Sequence, residues 1–205
     1  MLACIDLEGV LLPEIWIKFA EKSGIEELKL TTRDIPNYDV LMRGRINILK
    51  QHNLKLNDIQ SVIATLSPLE GAQEFLKWLK SEFEVIILSD TFYQFAGPLM
   101  KQLDYPTLFC HNLIVKNNGE ISGYKLRQED QKTKAVKALQ GLNLQVVSAG
   151  DSYNDIGMLR QADAGILFRP PDKLITEYPQ FPVATDYIQF KELFLKSRTN
   201  LKKAH

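Results

Sequence analysis

Met1-Leu2-Ala3-Cys4-Ile5-Asp6-Leu7-Glu8-Gly9-Val10 opens the chain with a short apolar run that ends in acid. Leu2 to Leu7 reads as a buried parallel strand, although an apolar run alone does not prove one. Gly9 follows at once, so the chain turns there. The same phrase recurs downstream. Phe83 to Leu88 is an apolar run before Ser89-Asp90, and Leu144 to Ala149 is another before Gly150-Asp151. Ala164 to Phe168 reads as a fourth strand. Between these strands, apolar residues recur at helical spacing in Glu70 to Lys80, Tyr93 to Leu103, Thr133 to Leu139 and Ser152 to Arg160. This alternation predicts an α/β, Rossmann-like fold with a mostly parallel sheet.

One segment interrupts the alternation. Pro13 precedes Ile15, Phe19, Ala20 and Leu28 at helical spacing, and Asp39 to Lys50 and Leu56 to Leu66 also read as helical. Residues 13–67 are therefore expected to form a small helical cap inserted after the first strand. Residues 1–12 and 68–205 make the α/β core. Pro98 predicts a kink or break in its helix. Leu113-Ile114-Val115, Asn117-Asn118-Gly119 and Ile121 to Leu126 read as a β-hairpin. Ser197 to His205 is polar and is expected to fray.

The 205 residues carry 25 Lys plus Arg and 25 Asp plus Glu. A balance of that kind recruits neither nucleic acid nor a membrane surface. No basic leader precedes Asp6 and no apolar run is long enough to span a bilayer, so a cytoplasmic protein is expected. Cys4 and Cys110 suit a reducing compartment. Either could be catalytic, but a buried structural role fits Cys4 better, within its apolar run. His52, His111 and His205 are scattered and no Cys-x-x-Cys pair occurs, so a zinc site is not expected.

Open α/β sheets gather their chemistry at the carboxyl ends of the strands. Asp6 there can attack phosphorus as a nucleophile, and Glu8 can serve as acid and base. Taken alone, the pair reads more simply as two solvated strand-end acids. Asp151 and Asp155 offer hard oxygen ligands for Mg2+, or a helix cap and a first-turn acid. With Asp6 nearby the metal reading gains, because clustered carboxylates repel without a cation. Ser89 can hold phosphate oxygens or cap the following helix. Lys132 or Lys134 could neutralise a transferring phosphoryl group, or simply be solvated.

Together these segments resemble the haloacid-dehalogenase superfamily of phosphotransferases. Asp6-Leu7-Glu8-Gly9-Val10, Ser89, Lys132 and Gly150-Asp151-Ser152-Tyr153-Asn154-Asp155 look like its four motifs, the last being the most specific. Within it the chain is most similar to the phosphoserine phosphatases. Pro13-Glu14-Ile15-Trp16-Ile17, Thr31-Thr32-Arg33-Asp34-Ile35-Pro36 and Leu88-Ser89-Asp90-Thr91-Phe92-Tyr93 look like a bacterial subgroup that also transfers phosphate to homoserine.

The resemblance implies roles. Asp6 is the nucleophile, and Glu8 stands where most family phosphatases carry the shorter aspartate acid/base. Asp6, the Glu8 carbonyl and Asp151 are metal ligands, with Asp155 supporting or water-mediated. Ser89 and Lys132 hold phosphate, while Lys134 matches less well. Glu14 receives the substrate ammonium and Arg45 its carboxylate, although a lone lid arginine reads equally as solvated. The implied activity is magnesium-dependent hydrolysis of O-phosphoserine through a phospho-aspartate, with transfer to homoserine. The partners expected are those small molecules, and self-association into a homodimer is left open. Hydrolysis of another small phosphate ester is the nearest competing reading. A non-catalytic binding module on the same scaffold is the other, but Asp6, Asp151 and Lys132 are all present. No Walker-type loop occurs, which disfavours a nucleotide kinase.

Overall fold

A computed structural model describes residues 1–32, 34, 35 and 37–203. Arg33 and Pro36 of the subgroup motif, and His205, lie outside the described residues. Strand β1 (Leu2–Ile5) leads through α1 (Ile15–Ser23), a 3-10 turn (Glu26–Lys29), α2 (Tyr38–Gln51), α3 (Leu56–Ile63) and α4 (Ala72–Glu82) to β2 (Glu84–Phe92). Then come α5 (Tyr93–Gln102), β3 (Thr107–Val115), β4 (Ile121–Lys125), α6 (Gln131–Gln140) and β5 (Val146–Gly150). A second 3-10 turn (Tyr153–Asp155) precedes α7 (Ile156–Gln161), β6 (Ala164–Phe168), α8 (Asp172–Glu177), β7 (Val183–Ala184) and α9 (Tyr187–Lys203).

The strands form one sheet in the order β4-β3-β2-β1-β5-β6-β7. β1 lies between β2 and β5 and is parallel to both. Only the β3–β4 pair among the named strands is antiparallel. Both faces of β1 are covered. Ala3 and Ile5 join the core on one side with Ile87, Val147 and Phe168. Leu2 and Cys4 join the core on the other with Leu88, Val146 and Leu167. Alternate residues on one strand thus enter two apolar layers, which is why its sequence shows a continuous run rather than alternation. The strand order reverses direction at β1, and the crevice of such a sheet opens at the carboxyl ends beside that point.

Several expectations need correction. The hairpin is present, but β3 is longer than its hairpin arm, and Thr107 to Phe109 also pair in parallel with Ile86 to Leu88. Ser152 to Arg160 is not one helix, because the 3-10 turn intervenes before α7. Pro98 does not break α5. Proline denies a hydrogen bond to the carbonyl four residues earlier, and that carbonyl, on Gln94, instead accepts from Gln60 Nε2 of α3 at 2.8 Å. The polar segment expected to fray is helical through Lys203, where α9 ends. Phe190 and Phe194, one turn apart, are fully buried on α9. Phe190 stacks on Phe75 at 4.7 Å and on Phe168 at 4.4 Å. Arg198 then donates to Glu82 at 2.6 Å, so apolar packing holds the first half of the helix and an ion pair helps its polar end.

Candidate active site

Asp6 follows β1 directly and is 4% exposed. Its Oδ1 accepts from the Leu7 backbone N–H at 2.8 Å and lies 2.9 Å from Lys132 Nζ. The tight turn beyond it is closed by Gly9 N–H donating to the Leu12 carbonyl at 2.8 Å. Gly9 has φ +79°, and a Cβ there would meet the Asp151 carboxyl group at 2.5 Å. Only glycine lets this loop pass so close to the end of β5.

Asp151 and Asp155 come from the segment after β5. Carboxylate oxygens of Asp6, Asp151 and Asp155 all lie within 4.8 Å of one another. Asp155 is fully buried. Its Oδ2 accepts from the backbone N–H groups of Asp151 and Ser152, both at 3.0 Å, and its Oδ1 accepts from Lys132 Nζ at 2.7 Å. The cap and the acidic cluster are therefore one arrangement, and the two sequence readings of Asp155 do not exclude each other. Burial, then Asp155, pushes the Asp6 carboxyl well above the usual range, with Asp151 adding to the rise and Lys132 opposing it. A site that crowds three acids against one lysine favours a further cation, and hard oxygen donors fit Mg2+.

Lys132 is 3% exposed at the start of α6. Burial opposes its charge, yet Asp155, Asp6 and Asp90 hold its pKa well above the ordinary lysine value. Lys134 is exposed and stays outside the cavity lining. Ser89 is buried where β2 loses regular register with β3, between Leu88 and Phe92. Its Oγ accepts from the Thr91 N–H at 3.3 Å. It does not cap α5, because the strand runs on to Phe92. Bulges of this kind re-aim side chains at sites.

Glu8 Oε2 accepts from the Ile15 backbone N–H at 2.9 Å. Burial and neighbouring Glu14 push its carboxyl up to about 8, against hydrogen bonds from Ile15 and Thr91. Glu14 is exposed at the start of α1. Arg45 is not a solvated arginine. It is 8% exposed on α2, its guanidinium lies 4.6 Å over the Trp16 ring, and Nη2 donates to the Leu30 carbonyl at 2.7 Å. Its buried Nε has no hydrogen-bond partner among the described residues. Burial lowers its pKa to about 10, with Glu8, Tyr38 and Glu14 opposing, so it remains a cation near neutral pH.

Asp6, Glu8, Glu14, Arg45, Ser89, Lys132 and Asp151 line a single cavity of about 720 Å³, whereas Asp155 and Lys134 do not. Asp90 lines the same cavity. Glu14, Trp16, Tyr38, Leu41 and Arg45 come from the helices between β1 and β2. Asp155 reaches the cavity through Lys132 and the backbone N–H groups of Asp151 and Ser152, to which it is hydrogen-bonded. Sequence reasoning gave no role to Tyr38, Thr91, His111, Gln131 or Asn154. Asp90 and Thr91 were signalled by the polar end of a strand. His111 had no local signal, since it reaches the site from β3. The cysteines stay outside the cavity lining. Burial pushes both thiols up to about 12, which leaves them protonated and removes the catalytic-thiol reading.

A buried carboxylate at the end of the central strand, with a lysine and two further acids converging on it, fits a phosphotransferase-type hydrolase. The chain belongs to the haloacid dehalogenase-like hydrolases, whose family model matches residues 1–163. It is 59% identical over 196 residues to the phosphoserine phosphatase ThrH of Pseudomonas aeruginosa, covering 96% of each chain. It is 58% identical to a phosphoserine phosphatase of Pseudomonas syringae pv. tomato, covering 96% of this chain and 83% of the relative. A substrate-bound phosphoserine phosphatase structure shares the fold with TM-score 0.75 and 22% identity, over 94% of this chain and 97% of that one. No described helix is long and apolar enough to cross a membrane.

Proposed function

We propose that the chain is a cytoplasmic, magnesium-dependent O-phosphoserine phosphohydrolase that also passes the phosphoryl group to homoserine. The observation carrying this reading is the cavity itself: Asp6, Glu8, Ser89, Lys132 and Asp151 line it together with Arg45 and Glu14. Residues 13–67 act as its cap. High identity to two phosphoserine phosphatases supports phosphoserine as donor.

Asp6 attacks phosphorus through a carboxylate oxygen, and the bond from phosphorus to the serine oxygen breaks. Glu8, which holds its proton near neutral pH, gives that proton to the departing oxygen. Ser89 and Lys132 hold the transferring phosphoryl oxygens. In the second half, Glu8 takes a proton from the incoming hydroxyl, that oxygen bonds to phosphorus, and Asp6 is released. Asp6, Asp151 and the Glu8 carbonyl would hold Mg2+, with Asp155 in support, and the ion supplies charge neutralisation for phosphate and carboxylate. Arg45 meets the substrate carboxylate and Glu14 its ammonium. Homoserine carries the same two charged groups, with one more methylene before its hydroxyl.

The test supplies phosphorus-labelled phosphoserine with homoserine and magnesium, without ATP. Labelled O-phosphohomoserine is expected beside free phosphate. Free phosphate alone at saturating homoserine removes the transferase half, and no product from phosphoserine removes the donor assignment.

A further inference from the structure

Asp90 is the residue on which separate parts of the cavity wall converge. Its Oδ1 accepts from Gln131 Nε2 at 3.1 Å, and its Oδ2 accepts from Asn154 Nδ2 at 3.0 Å. Lys132 Nζ lies 3.9 Å from Oδ2, and His111 Nε2 lies 3.4 Å from Oδ1. The Asp90 backbone carbonyl accepts from the Tyr38 hydroxyl at 3.1 Å. Four chain segments therefore meet one residue of β2: α2, β3, the start of α6 and the turn after β5.

His111 is itself fixed. Its Nδ1 accepts from the Arg127 backbone N–H at 3.1 Å. That bond assigns the ring proton of the neutral imidazole to Nε2, which then faces Asp90 as a donor. The ring is 3% exposed and packs against Phe92 and Tyr38. A backbone amide thus sets the tautomer, and the tautomer orients the carboxylate.

We infer that Asp90, oriented by His111, is a positioning residue that holds the Lys132 ammonium and the Asn154 turn in place for phosphoryl transfer. Lys132 is shared among Asp6 at 2.9 Å, Asp155 at 2.7 Å and Asp90 at 3.9 Å. Asp6 and Asp155 belong to the acidic cluster, so an arriving phosphoryl group and cation compete for both. Asp90 lies outside that cluster and keeps its anchoring charge throughout. Burial raises its pKa, but Lys132, His111, Asn154 and Gln131 together hold it well below the usual carboxylate range. A lysine placed by a fixed carboxylate needs less rearrangement when charge develops on the phosphoryl oxygens.

The inference rests on the proposed role of Lys132 as a phosphate holder. Turnover of phosphoserine and of p-nitrophenyl phosphate is compared in wild type, Asp90→Asn, His111→Phe and His111→Gln, with thermal melting of each. Asp90→Asn keeps the shape but loses the charge, and kcat should fall about 10- to 100-fold equally on both esters, with KM for phosphoserine little changed. His111→Phe should lose about tenfold, and His111→Gln, which retains a donor, should recover most of it. Asp90→Asn protein with near-normal kcat overturns the inference, even if His111→Phe loses activity through a lowered melting temperature. So does a loss confined to KM for phosphoserine. Wild-type protein that turns over neither ester instead removes the functional reading on which the inference stands.

Discussion

Gly9 and Asp155 show how single residues set the site. Gly9→Ala would place a methyl group on the Asp151 carboxylate and strain a φ of +79°. Backbone strain there costs about 1–2 kcal/mol, but displacement of Asp151 should cost more in function. The expected outcome is a folded protein with magnesium affinity reduced about 10- to 100-fold by titration. Asp151 and Asp155 should separate in a second comparison. Asp151→Asn should weaken magnesium binding and change melting temperature less than the fully buried Asp155→Asn does. Asp155→Asn should lower melting temperature as well, by about 1–3 kcal/mol of stability, because its carboxylate serves Lys132 and two backbone N–H groups. Equal melting temperatures for the two variants would contradict that division. The convergence of Asp6, Glu8, Lys132 and Asp151 on one cavity was legible in sequence because each follows or flanks a strand end or a helix start, and that of Ser89 because the apolar run of β2 stops at Leu88 although the strand itself continues. His111 was not, because its contact with Asp90 is made across the sheet and has no sequence period.

At the scale of elements, two attachments hold helices that local sequence alone leaves uncertain. Gln60 on α3 supplies the donor that Pro98 denies to the Gln94 carbonyl. Gln60→Ala should destabilise the protein by about 1 kcal/mol, seen as a lower urea midpoint. Substituting Pro98 by Ala should relieve part of that loss, since the helix then supplies its own donor. Phe190→Ala removes the ring sandwiched between Phe75 and Phe168. About 3–5 kcal/mol should be lost, with KM for phosphoserine unchanged in the protein that remains folded. The strands β1, β2, β5 and β6 could be read because both faces are buried and their runs are apolar. The two-residue β7 and the six-residue α8 carry too few residues to show a period. The polar end of α9 takes its order from Phe190, Phe194 and Arg198 and thus from contacts distant in sequence.

For the whole molecule, the proposed function puts phosphoryl chemistry on the sheet and substrate choice on the helices between β1 and β2. Arg45 is buried under this arrangement with Trp16 and Leu30, so its charge is directed rather than solvated. Arg45→Ala or Glu14→Gln should lower kcat/KM for phosphoserine far more than for p-nitrophenyl phosphate, by about 2 kcal/mol of differential transition-state binding. Equal losses on both esters would mean that these residues serve closure of the cap rather than recognition. The central claim is that Asp6 carries the phosphoryl group between donor and acceptor. It is tested most directly by mixing the protein with phosphorus-labelled phosphoserine and magnesium, quenching in acid on the millisecond scale, and mapping the labelled peptide. The account predicts a burst of acid-stable, hydroxylamine-labile label on the peptide containing Asp6, absent in Asp6→Asn. Steady turnover with no label on that peptide at any quench time, or full turnover by folded Asp6→Asn, would contradict it.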